Sequence, residues 1–309
     1  MSGHDTGATR RGFLAGLGGA AALAACGGRR RGAPSPAAAT GPTIRELRFD
    51  DGPGAPQRVV VLVPEGAAAT ARVPLLIALH GRGEAHRGLA AGAWGWVRDY
   101  RLDRTAAALR RPPLGAADLA DVATRASLAA VNAALAARPY GGLVVACPFT
   151  PDVLADRDLD GAAPFGRFLV ERLIPRLRRE LPVIPTRAAT GIDGVSLGGR
   201  VALLAGMAHA DAFGAVGTLQ AAFAGDEIAA VVAPARAMLQ RAPAPPRLRL
   251  LTSDGDFFRG TLVELAAALT AAGWPAELKV VPGPHDYAFN RGPGGVEMLL
   301  WHDRVLRGG

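Results

Sequence analysis

The chain has 309 residues, a formal net charge of +8, and half of its residues are hydrophobic. That length supports one large α/β domain or two small ones around a sizeable core. Arg supplies 34 of the 35 basic residues, and they are scattered, with no basic helix and no basic patch interleaved with aromatics, so the charge does not describe a nucleic-acid surface.

The N-terminus reads as an address rather than as part of the fold. Thr9-Arg10-Arg11-Gly12-Phe13-Leu14 resembles a twin-arginine export motif. The weakly apolar run Ala15 to Ala25 follows, too short to span a bilayer. It ends in Leu23-Ala24-Ala25-Cys26, which resembles a bacterial lipobox. The resemblance implies a signal peptide over 1–25, cleavage before Cys26, and acylation of its thiol. The protein would then be an exported lipoprotein tethered to a membrane. An ordinary signal peptide with an incidental Cys is the competing reading. Residues 26–43, mostly Gly, Arg, Pro, Ala and Ser, read as a flexible tether.

Residues 44–309 alternate strand-like and helix-like segments. The compact apolar runs Arg58–Val63, Leu75–His80, Leu143–Cys147, Ala188–Ile192, Ala215–Leu219, Leu248–Thr252 and Leu278–Val281 are expected strands. The amphipathic stretches Phe165–Leu181, Leu197–Ala208, Asp226–Arg241, Leu262–Ala272 and Val296–Leu306 are expected helices. Continuous apolar strands alternating with helices indicate an α/β fold, with a mostly parallel central sheet covered by helices on both faces. Residues 84–142, with Trp94, Trp96, Tyr100 and an Ala-rich stretch over 116–137, exceed a simple crossover. They read equally as an insertion lidding a site or as ordinary helical padding.

The motifs that carry chemistry also come in chain order. His80-Gly81-Arg82-Gly83-Glu84 follows an early strand, and Gly81 lets that turn bend so that the Arg82 amide faces an oxyanion. His80 reads as a hydrogen-bonded scaffold residue, and the Arg82 and Glu84 side chains as solvated charges, with contact to substrate as the alternative. Cys147 sits in an apolar run and reads as a buried structural thiol. Asp156-Arg157-Asp158-Leu159-Asp160-Gly161 imitates the start of a calcium loop, but position twelve is Arg167 where that loop requires Glu, so no metal is expected.

Gly194-Val195-Ser196-Leu197-Gly198 spells G-x-S-x-G after a strand-like run and before a helix-like one. That context suits a nucleophile elbow, in which a tight turn exposes the serine and a helix N-terminus aims free N–H groups at the oxyanion. The Leu197 and Arg82 backbone N–H groups are the expected oxyanion donors. Of the three histidines after Ser196, His285 lies in a Gly/Pro-punctuated loop beyond the last strand and is the expected base. His209 reads as structural and His302 as a surface residue of the last helix. Asp254 and Asp256 both follow the preceding strand. Asp256 is favoured as the acid that orients His285, with Asp254 shaping the turn.

The His-Gly turn, the elbow, the acid loop and the late His285 stand in the order of the α/β-hydrolase superfamily. The body resembles its esterase group of esterase D-like, feruloyl-esterase-like and mycolyltransferase-like members over roughly residues 44–307. The resemblance implies an α/β-hydrolase fold and a carboxylic-ester hydrolase working through an acyl-enzyme on Ser196, without cofactor. Its partners would be a small-molecule or polymer-linked ester and a membrane at the lipid anchor, with no nucleic acid. Acyl transfer by the same triad, or a non-catalytic binding protein on a hydrolase scaffold, are the alternatives.

Overall fold

A computed structural model describes residues 41–52, 55–68, 71–154, 159–241 and 244–308. The export motif, Cys26, nearly all of the tether and Asp156 to Asp158 of the calcium-like loop lie outside the described residues.

Eight strands form one sheet: β1 (Thr43–Phe49), β2 (Gln57–Val63), β3 (Leu75–Leu79), β4 (Val144–Pro148), β5 (Thr190–Gly194), β6 (Ala215–Leu219), β7 (Arg247–Gly255) and β8 (Ala276–Pro284). Their order is β1-β2-β4-β3-β5-β6-β7-β8. β1 and β2 pair antiparallel, as do β2 and β4, and every pairing from β4 through β3 to β8 is parallel. β1 lacks a compact apolar run and is not among the expected strands. It is added at the sheet edge by full backbone pairing with β2. β5 begins and ends two residues later than its apolar run suggests, taking in Asp193 and Gly194, whose polar atoms are satisfied inside the protein.

The side chains of each central strand divide by parity, as a period of two requires. Val59, Val61, Leu75, Ile77, Val144 and Ala146 enter one core, and Val60, Leu62, Leu76, Ala78, Val145 and Cys147 enter the other. The first core is closed by a bent helix made of α6 (Ala163–Phe168), a π turn and α7 (Ile174–Glu180), by α8 (Leu197–Ala208), α9 (Ile228–Arg241) and α10 (Arg259–Ala271). The π turn at 169–173 ends two residues before Pro175, which has no N–H to continue the ordinary helical ladder.

The second core is closed by the 84–142 region and the C-terminal helices. The short helices α1 (Arg82–Ala85), α2 (Gly88–Gly92), α3 (Gly95–Arg98) and α4 (Leu102–Leu109) lead to α5 (Arg125–Ala137), and α11 (Tyr287–Phe289) precedes α12 (Gly295–Leu306). Trp96, Tyr100, Leu102, Leu109, Leu119 and Leu135 are all buried on this face, so the region contributes a structural layer. The Ala-rich stretch is not one helix. It breaks after a 3₁₀ turn at Ala116–Leu119, where Ala120 and Asp121 take positive φ.

Because β3 to β8 run parallel, their C-terminal ends share one edge. The segments that follow β3, β4, β5, β6, β7 and β8 therefore converge there, where α/β sheets place their sites.

Candidate active site

Ser196 links β5 to α8 with φ 54° and ψ −114°, a left-handed conformation unusual for a residue with a Cβ. The turn is held by Ser196 N–H donating to Leu219 O at 2.9 Å and by Ala222 N–H donating to Ser196 O at 3.0 Å. Two glycines make it possible. A Cβ on Gly194 would lie 2.4 Å from the Gly198 backbone, and a Cβ on Gly198 would lie 2.3 Å from Leu79 O. Behind the turn, wholly buried Arg200 of α8 forks onto both carboxylate oxygens of Glu227 at 2.9 and 2.7 Å. The Leu197 N–H opens α8 without an acceptor among the described residues.

His285 follows β8, and its Nδ1–H donates to Asp256 Oδ1 at 2.7 Å. The Asp256 carboxylate is buried after β7, and it also accepts from Thr252 Oγ1 at 2.6 Å and Phe258 N at 2.9 Å. Three donors fix it in one orientation, so the His285 tautomer with a free Nε2 lone pair is imposed. Exposed Asp254 instead accepts from Gly283 N at 2.9 Å, bracing the β8 end that delivers His285. Of the two carboxylates, Asp256 alone is in contact with the imidazole. Phe257, 73% exposed, lies with its ring 4.3 Å from that of His285. The Ser196 hydroxyl makes no hydrogen bond among the described residues. Such contacts are commonly long in substrate-free enzymes and tighten on binding.

The turn after β3 presents a second backbone N–H without an acceptor among the described residues, that of Arg82. His80 is fully buried, and burial lowers its pKa to about 4, so the ring is neutral. Its Nδ1–H donates to Gly81 O at 3.0 Å and its Nε2 accepts from Thr150 N at 2.8 Å. Gly81 C=O and Arg82 N–H belong to one peptide plane and point oppositely in a trans peptide. Fixing the carbonyl on His80 therefore aims the Arg82 N–H the other way, with no acceptor among the described residues. His80 is thus the scaffold residue that the sequence suggests. The Arg82 side chain is exposed and, with His86, bonds Asp152 at 2.8 and 2.9 Å. These groups hold that carboxyl below its ordinary pKa against the opposing effect of burial.

Two expectations fail. Glu84 is not a solvated charge: it is buried at 1% exposure and bonds Tyr100, Tyr287 and Arg87. His302 is not a surface residue: it is fully buried, and its Nε2–H donates to Asp193 Oδ2 at 3.0 Å beneath the elbow strand. α12 lies across β5 and β6, so its polar inward position needs a buried partner, and Asp193 supplies it. Cys147 is buried in β4 as expected, and burial pushes its thiol pKa up.

Sequence reasoning misses Gln220. It follows β6 with φ 49° and donates through Nε2 to Ser253 Oγ at 2.7 Å and Pro284 O at 2.8 Å. Its only sequence signal is a lone amide in the run Val216 to Phe223. A cavity of about 300 Å³ borders α5, β8 and α12, lined among others by Val131, Lys279, Pro282 and Trp301, and includes none of Ser196, Asp256 or His285. Among the described residues, no cluster of His, Cys, Asp and Glu could hold a metal ion, and no helix is long and apolar enough to cross a membrane.

Comparison with known proteins agrees with this architecture. Residues 120–257 match the family model described as "Putative esterase". No curated protein matches the chain in sequence. A ferulic acid esterase structure is similar at TM-score 0.63 and 17% identity, covering 86% of this chain and 100% of that one. S-formylglutathione hydrolase FrmB from Staphylococcus aureus is similar at TM-score 0.58 and 16% identity, covering 85% and 99%. The ferulic acid esterase AmCE1/Fae1A from Anaeromyces mucronatus, in complex with ferulic acid, is similar at TM-score 0.55 and 16% identity, covering 88% and 93%. At these identities the likeness to solved structures is one of fold. The fold is that of the α/β hydrolases, and with the esterase-family match over residues 120–257 it supports a carboxylic-ester hydrolase.

Proposed function

We propose that the chain is an exported, lipid-anchored serine hydrolase that cleaves small-molecule or polymer-linked carboxylic esters through an acyl-enzyme on Ser196. The observation that carries the catalytic part is the 2.7 Å bond from His285 Nδ1–H to buried Asp256, on the sheet edge that also bears the strained Ser196.

In this reading the His285 Nε2 lone pair removes the Ser196 hydroxyl proton as Oγ attacks the ester carbonyl. Asp256, held by Thr252 and Phe258, stabilises the imidazolium. The carbonyl oxygen becomes an oxyanion facing the Leu197 and Arg82 N–H groups, which are fixed before the reaction and need no reorganisation. Collapse breaks the ester C–O bond, and the leaving alkoxide takes the proton from His285 Nε2. A water molecule deprotonated by His285 then attacks the acyl-enzyme, and the acid is released with Ser196 restored. The open Nε2 side of His285 and the exposed Phe257 beside it give an ester group an apolar shelf. Export and anchoring rest on Arg10-Arg11 and on Leu23-Ala24-Ala25-Cys26, upstream of the catalytic unit.

Titration with a fluorophosphonate probe tests the reading without a known substrate. One label per chain is expected, lost in Ser196→Ala. That variant should also lose p-nitrophenyl ester hydrolysis by several orders of magnitude while staying folded. Retention of more than about a tenth of wild-type activity would remove Ser196 as the nucleophile.

A further inference from the structure

Glu84 raises a physical question, because a carboxylate at 1% exposure needs strong compensation. It has three polar partners on three separate segments. Tyr100 O–H donates to Oε2, Tyr287 O–H donates to Oε1 at 2.8 Å, and Arg87 Nη2 donates to Oε1 at 2.7 Å. Arg87 is in turn forked onto Asp99 at 3.1 and 2.7 Å. Partial burial and the bond to Glu84 raise the Tyr287 pKa to about 12, so that hydroxyl remains a donor at any working pH.

The placement of these partners gives the network a purpose. Glu84 stands on α1, two residues after the Arg82 N–H. Tyr100 O–H, while donating to Glu84, accepts from Gly81 N at 3.3 Å, the amide that begins the oxyanion turn. Tyr287 lies two residues after His285, and Glu84 and Tyr287 are 203 residues apart in sequence. The Tyr100 and Tyr287 rings face each other at 5.6 Å. Arg291 Nε, beyond Tyr287, donates to Asp99 O at 2.6 Å, closing the circuit from the other side. The backbone leaves room for the carboxylate stem: a Cβ on Gly95 would lie 2.4 Å from Glu84 Cγ.

We propose that Glu84 is a positioning residue for ester hydrolysis, holding the oxyanion turn and the His285 loop in one register through Tyr100 and Tyr287. It touches no reacting atom. The oxyanion donor and the general base come from opposite ends of the chain and share no hydrogen bond of their own. Glu84 is the group bonded to both neighbourhoods. A shift of either loop separates the base from the point where the oxyanion forms, and misplacement of such groups lowers turnover more than binding.

The inference rests on the serine-hydrolase reading, and one experiment separates the two. Wild-type protein and the variants Glu84→Gln and Tyr287→Phe are titrated to completion with a fluorophosphonate, and kcat and KM for p-nitrophenyl acetate are expressed per labelled site. Absence of labelling in the wild type overturns the serine-hydrolase reading and with it the role of Glu84. With labelling intact, Glu84→Gln should lower kcat per site by about tenfold or more, with KM within about twofold. Tyr287→Phe should cause a smaller fall in the same parameter. The double variant should be no slower than Glu84→Gln alone, because both changes cut the same connection. A purely structural role would reduce the number of labelled sites and leave kcat per site unchanged, which overturns the proposal. If Glu84→Gln does not fold, Tyr287→Phe decides: an unchanged kcat per site overturns it, and a fall at constant KM supports it.

Discussion

Gln220 donates to the carbonyl of Pro284 at 2.8 Å, joining the segment after β6 to the residue immediately before His285. Backbone bonds continue the connection in the other direction. Gln220 N–H donates to Leu251 O at 2.7 Å, and the preceding residue, Leu219, accepts from Ser196 N–H at 2.9 Å. The segments carrying Ser196 and His285 and the strand leading to Asp256 therefore meet around buried Gln220, through its side chain, its own N–H and the carbonyl of the residue before it. Truncation by Gln220→Ala should cost about 1–3 kcal/mol in urea denaturation, the range for buried polar partners left unmade. It should also lower kcat by roughly tenfold through drift of the His285 loop. Unchanged kcat in a folded variant would show that Pro284 is held adequately by Ser253 alone.

Asp256 and Asp254 should separate kinetically. Asp256→Asn offers His285 an amide in place of a carboxylate and should lower kcat by orders of magnitude, with the fold retained. Asp254→Asn weakens only the bond to Gly283 N, and should change stability by about 1 kcal/mol with little effect on kcat. Steady-state kinetics beside thermal melts of both variants read the difference. The opposite ranking would exchange their roles.

Stability should depend on pH through the buried and half-buried histidines. Burial lowers His80 from 6.5 to about 4, and burial also lowers His209 and His302. Between about pH 4 and 6.5 the unfolded chain binds protons that the folded chain refuses, so stability rises with pH across that window. The His80 contribution is complete above about pH 6.5 and is lost as pH falls toward 4, on the order of 3 kcal/mol in all. Denaturation curves at pH 7 and 4.5 should show the loss. His80→Gln should flatten it, and an equally steep dependence in that variant would place the effect elsewhere.

The anchor has its own test. Cys26→Ala should release the protein from membranes or block its processing, since two acyl chains give stable attachment where one gives marginal binding. Replacing Arg10 and Arg11 together by Lys should stall export of the folded precursor, because the arginine pair is what that route reads. Mass spectrometry of the exported native protein should find a diacylated Cys26, and a free thiol there would remove the lipoprotein proposal while leaving the hydrolase reading intact.

Elements governed by local pattern were legible in the chain alone. β6 and α8 have the same bounds in the structure as in the apolar periodicity, Ala215–Leu219 and Leu197–Ala208. The glycines of the elbow are dictated by backbone clashes within a few residues, and Asp256 and His285 stand where a strand end must release them. Polar residues whose partners are distant in the chain were legible only once the fold was known. Glu84 and His302 resemble surface residues in sequence because charge and imidazole are usually solvated. Their burial becomes affordable only once Tyr287 arrives from 203 residues away and Asp193 from 109. Periodicity records which face of an element is apolar. It carries no record of which other element will cover a polar side chain, and that pairing, settled by the parallel sheet gathering six strand ends on one edge, is what assembles the site.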